Sequence, residues 1–86
     1  MKYNINTLNN LPLNIEGKIN SLACNATIKR RLLDLGLTQN TFVTPVLESP
    51  SSGIRAYWFR NTLIAIRNED SSSILINFWF MAKFVI

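Results

Sequence analysis

The sequence predicts a mainly β fold: a small closed or nearly closed barrel of five short strands, with one short α-helix between the first two strands. Three observations carry this expectation. Apolar residues recur with a period of two in several short segments, whereas only residues 26–35 show helical spacing. Turn residues punctuate the chain between these segments. Five short strands and one helix in so short a chain cannot build two good layers of open sheet, and closure removes the unpaired edges.

The first strand is expected over residues 17–22, with Ile19 and Leu22 turned inward. The helix follows from Ala26 to Leu35, where Ile28, Leu32 and Leu35 fall at i, i+4 and i+7. Asn25 or Thr27 can cap its start, and Gly36 supplies the left-handed stop. Residues 41–47 form an edge or bulged strand, because Pro45 lacks the N–H of a regular ladder. Pro50-Ser51-Ser52-Gly53 is a turn. In the next strand Ile54, Ala56 and Trp58 alternate with Arg55, Tyr57 and Phe59. Arg60-Asn61-Thr62 makes a tight reversal into residues 63–67, since Asn tolerates positive φ. Residues 68–73 suit one helical turn, capped by Asn68 or Asp70, and Ile74, Ile76 and Phe78 mark the closing strand. No linker or internal repeat is visible. The chain therefore reads as one domain over residues 1–78, with an apolar C-terminal extension of the last strand over residues 79–86.

With 86 residues, the chain buries only roughly 60–65% of its unfolded surface, so the core must be dense. A hydrophobic content of 48% supplies it, while only 16% charged residues points to a partner surface. Cys24 is the sole cysteine and there is no His, which excludes an intramolecular disulfide framework and a zinc finger and favours a reducing cytosol. Met1 to Asn6 carries no apolar signal-peptide region. Ile74 to Ile86, interrupted by Asn77 and Lys83, is short of the about 20 apolar residues a membrane span needs. The formal net charge of +4 permits anionic partners and does not by itself indicate nucleic acid.

No enzyme is expected. Without His there is no Ser-His or Cys-His pair, and no Gly-rich phosphate loop occurs. Of the carboxylates Glu16, Asp34, Glu48, Glu69 and Asp70, only the last two adjoin, and sequence neighbours seldom converge on one substrate. Cys24 reads as a small buried hydrophobe, and Glu69 and Asp70 as capping or solvated groups, so neither a metal site nor a cofactor is expected.

The most specific stretch is Arg30-Arg31-Leu32-Leu33-Asp34-Leu35-Gly36-Leu37, a basic, leucine-rich helix ending in Leu-Gly-Leu. Leu8-Asn9-Asn10-Leu11-Pro12-Leu13 and Gly17-Lys18-Ile19 precede it; Val46-Leu47-Glu48-Ser49-Pro50 and Ile64-Ala65-Ile66-Arg67-Asn68-Glu69-Asp70 follow. In order and spacing this set resembles the FeoA family over about residues 6–78. The sequence departs from the family pattern in three turns, with Gln39-Asn40 for the usual Pro-Gly, Ser51-Ser52-Gly53 for Gly-Asp-Pro, and Asn61 for Gly, and Trp79 to Ile86 extend past the usual end of that pattern.

The resemblance implies an SH3-like barrel acting as a non-enzymatic accessory protein of bacterial ferrous-iron uptake. It also implies family-level transition metal ion binding, and docking on the cytosolic GTPase region of FeoB, a membrane transporter. The chain would then be cytoplasmic, at the inner face of the plasma membrane only through its partner. For that docking surface Lys29, Arg30 and Arg31 supply charge, Leu33 an outward apolar anchor, and Tyr57 and Phe59 aromatic contact area. This last assignment takes Ile54, Ala56 and Trp58 as the inward side, although period two alone leaves either face free to be core. Two other readings are an interaction domain acting with a metal-dependent regulator, and a small nucleic-acid-binding barrel using Arg55, Tyr57, Phe59 and Arg60. Trp79 to Ile86 leaves apolar residues with no evident interior. They can fold over an open barrel end, pair with a second copy in a homodimer, or contact the membrane or the partner's transmembrane part.

Overall fold

The computed structural model describes residues 3–51 and 53–79. The strands are β1 (Tyr3–Thr7), β2 (Gly17–Leu22), β3 (Phe42–Glu48), β4 (Ile54–Phe59), β5 (Thr62–Arg67) and β6 (Ile74–Trp79). Two helices, α1 (Ala26–Asp34) and α2 (Asn68–Ser71), and a 3-10 turn at Leu8–Asn10 complete the fold. The strands form one antiparallel sheet in the order β1-β6-β2-β3-β4-β5.

This corrects the expected architecture in three respects. Among the described residues there are six strands rather than five, the sheet is not closed into a barrel, and the helix lies between β2 and β3. The first and third differences share one cause. Tyr3-Asn4-Ile5-Asn6-Thr7 is asparagine-rich and has weak strand propensity, yet it pairs with β6 over its whole length, Tyr3 opposite Trp79 through Thr7 opposite Leu75. The second follows as well. With β2 on one side and β1 on the other, β6 has no free edge left to receive β5. The SH3-like order of β2 to β6 remains, as an open curled sheet.

The core joins Leu8 and Leu11 from the opening turn to Ile19, Leu32, Leu37, Val43, Tyr57, Phe59, Ile66, Ile74 and Ile76. Pro45 is accommodated inside the sheet rather than at its edge. The β3–β4 register shifts between Pro45 and Leu47, a bulge that absorbs the missing donor. The Pro45 carbonyl instead accepts from the Asn14 N–H at 2.6 Å, tying the loop before β2 to the bulge. A two-residue turn joins β4 to β5, with Arg60 at φ 49° and Asn61 at φ 60°, the mirror-image geometry that suits right-twisted strands. Neither Asn68 nor Asp70 is the N-cap of α2, which starts from Arg67. Residues 80–86, and with them the three readings of the tail, lie outside the described residues.

Candidate functional surface

Helix α1 is set by its ends. The Asn25 side chain accepts from the Ile28 N–H at 3.0 Å, which satisfies one of the first-turn donors. At the other end Gly36 takes φ 98°, and the Leu37 N–H returns to the Leu32 carbonyl at 3.0 Å, dropping Leu37 into the core. Leu32 is buried and Ile28 packs on the core from the same side. Leu35, expected inward, is exposed, because the Gly36 turn carries Leu37 into its place.

The opposite side of α1 faces solvent. Lys29, Arg30, Arg31 and Leu33 are all exposed, as a docking surface requires. Arg30 and Arg31 line a shallow open groove with Ala26, Thr27 and Asp34. Among the described residues, none of the three cations has an ion-pair partner within 4 Å; the two ion pairs present are Arg55–Glu48 and Arg67–Glu69. No acidic residue occupies the first turn, where the helix dipole would favour one.

Tyr57 and Phe59 do not belong to this surface. Both are buried in the core, so the inward and outward sides of β4 are reversed relative to expectation. The reason lies in the hairpin register. Tyr57 is opposite Ile64 and Arg55 is opposite Ile66, so the isoleucine side of β5 and the Arg55-Tyr57-Phe59 side of β4 face inward together. Burial pushes the Tyr57 hydroxyl pKa above its ordinary value of 10.0, while neighbouring Ser71 and Arg55 pull the other way.

Arg55 is only 5% exposed and is held by structural partners. Its Nη1 donates to the Asn9 carbonyl at 2.9 Å, and its Nε lies 3.5 Å from Glu48 Oε1. Of the four residues of a nucleic-acid-stacking platform, Arg55, Tyr57 and Phe59 are therefore enclosed and only Arg60 is exposed. That arrangement has no stacking face.

The same reversal exposes a surface that periodicity alone did not identify. Ile54, Trp58, Leu63 and, across the bulge, Leu47 point outward from β3, β4 and β5, joined by Phe42 at the start of β3. The available signal was the two-residue turn, which forces Trp58 and Leu63 onto one face and Tyr57 and Ile64 onto the other.

Among the described residues no group of three or more His, Cys, Asp or Glu converges on a point where a metal ion could be held. The donors present therefore do not fit a resident metal site. No helix of the described residues is long and apolar enough to cross a membrane.

The FeoA domain model matches residues 6–77. A search of the curated proteins finds no match. Among solved structures, the chain is similar to a FeoA-like protein from Clostridium acetobutylicum, with TM-score 0.81 and 18% identity over 93% of this chain and 92% of that one. It is also similar to FeoA of Stenotrophomonas maltophilia complexed with zinc, with TM-score 0.67 and 27% identity over 81% and 87% of the two chains. A manganese-dependent transcriptional repressor shares the fold at TM-score 0.80 and 8% identity, over 92% of this chain and 44% of the repressor.

Proposed function

The chain belongs to the FeoA family, and from that premise we propose that it docks through the outer side of α1 on the cytosolic GTPase region of an FeoB-type ferrous-iron transporter. Family membership supports a non-enzymatic accessory role in bacterial ferrous-iron transport. The observation that carries the docking site is the set Lys29, Arg30 and Arg31. Among the described residues these cations lack ion-pair partners; they stand beside exposed Leu33 and sit on a helix whose other side is committed to the core.

Desolvating three cations with nothing to pair them would be costly, so the surface suits a partner that brings carboxylates. Leu33, exposed one turn along the helix from Lys29 and Arg30, adds an apolar contact beside the charges. Ferrous iron is the transporter's cargo in this reading, and the chain acts on the transporter rather than on the ion. Such a protein works in the cytoplasm and reaches the membrane only through its partner.

The test is capture of the transporter from detergent-solubilised membranes by the purified chain, followed by titration of its isolated cytosolic region. Arg30→Glu with Arg31→Glu should weaken binding at least about tenfold, or about 1.4 kcal/mol, with an unchanged circular dichroism spectrum. Undiminished affinity in a folded double variant would remove this surface from the site.

A further inference from the structure

The outer face of β3–β4–β5 is apolar and uncovered among the described residues. Phe42 is 56% exposed, Leu47 60% and Trp58 45%, with Ile54 and Leu63 similarly open. The register sets these side chains in rows across the strands, about 7 Å from one row to the next. Thr44, Trp58 and Leu63 form one row; Leu47, Ala56 and Ala65 form the next. Phe42 lies beyond the first row, at the β4–β5 turn end, and Ile54 with Arg67 lies beyond the second. A row holding a tryptophan and a leucine thus borders a row whose β4 and β5 positions are both alanine.

We propose that a second copy of this chain covers this face, packed sheet on sheet about a two-fold axis that runs across the strands between the two rows. Such an axis lays each strand over its own counterpart and exchanges the rows. Trp58 then seats over Ala56 of the second copy, Leu63 over its Ala65 and Leu47 over its Thr44, and the symmetry makes each contact twice. Sheets packed face to face sit about 10 Å apart with their side chains interdigitated, so a large side chain needs a small one opposite it. The paired alanines supply that room.

The area is that of one side of a stable dimer. Counting about 200 Å² for a fully exposed side chain of this size, the five present roughly 500 Å² of apolar surface. A standard interface takes about 800 Å² from each partner, of which about 56–65% is apolar, or roughly 450–520 Å². Lys18, opposite Phe42, and Arg67, opposite Ile54, flank the face at its two ends and leave its middle uncharged. Helix α1 packs through Leu32 with Tyr57 and Phe59, on the other side of the sheet. The basic side of α1 therefore stays free in the dimer, and this inference is independent of the transporter reading.

Sedimentation equilibrium of the full chain should give twice the 9.8 kDa chain mass at about 0.1 mM and fall toward the single mass on dilution. Leu63→Lys and Ala65→Glu, made in separate chains, should each raise the dimer dissociation constant at least about a hundredfold with an unchanged circular dichroism spectrum. Because Leu63 meets Ala65 of the other copy, mixing the two variants sets the new lysine against the new glutamate and should recover the dimer. If Leu63→Lys loses its circular dichroism spectrum, Leu47→Lys is read for loss of the dimer in its place. A full chain that stays monomeric at about 0.1 mM would overturn the proposal. A dimer that survives in both folded single variants would place the interface elsewhere and overturn it too, as would a mixture of the two variants that remains monomeric.

Discussion

Leu32 is the side chain through which α1 grips the sheet, since it is the buried residue of that helix. Leu32→Ala should therefore lower stability by about 2–5 kcal/mol in urea denaturation, whereas Leu33→Ala, on the solvent side, should change it by less than about 0.5 kcal/mol. Tyr57 gives a second test. Its folded-state pKa is raised by burial, so the folded chain keeps the phenol proton where the unfolded chain begins to release it. The stabilisation is complete below the ordinary tyrosine value and is lost as pH rises from about 10 through the folded pKa. Thermal melts in alkaline buffer should show this fall, and Tyr57→Phe should flatten it. At this scale the sequence was legible wherever a residue's role depends on its neighbours. Asn25 caps, Gly36 turns left-handed, and Leu33 points outward because local geometry dictates each. Tyr57 and Arg55 were not legible, because their burial depends on partners far along the chain, Ile64, Glu48 and Asn9.

Among elements, the β4–β5 hairpin decides which side chains the protein shows to others. Its turn holds Arg60 at φ 49°, a left-handed conformation that costs a non-glycine residue about 1–2 kcal/mol. Arg60→Asn should recover part of that, raising the urea midpoint by an amount equivalent to up to about 1 kcal/mol while keeping the register. Gly36→Ala should act in the opposite direction. At φ 98° a Cβ is strained, and it would stand 3.3 Å from Arg60 Nη1, so a loss of about 1–2 kcal/mol is expected in the same assay. The period of two located β4 correctly but could not orient it, because Ile54-Ala56-Trp58 and Arg55-Tyr57-Phe59 offer comparable apolar area. Carrying the two-residue turn forward to the isoleucines of β5 resolves the choice. β1 stayed hidden for another reason. Its asparagines argue against a strand locally, and only the waiting edge of β6 makes one of them.

For the molecule as a whole, cations on α1 and an apolar sheet face offer two surfaces of different character. Binding through the first should weaken steeply with salt, because at about 0.1 M ionic strength the screening length is about 10 Å. Titrating the transporter's cytosolic region at low and high sodium chloride should show that loss, and the Arg30→Glu, Arg31→Glu variant should lose most of its salt sensitivity along with its affinity. The pairing of β1 with β6 carries a consequence for the birth of the protein. The ribosome delivers β1 first, yet its partner emerges only after every other strand has been made. β2 waits nearly as long for the same neighbour. A nascent chain halted after β3 but before residue 74 therefore leaves β1 without its partner and β2 paired only with β3, so the sheet is completed only on release of the final strand, as contacts between distant residues generally slow folding.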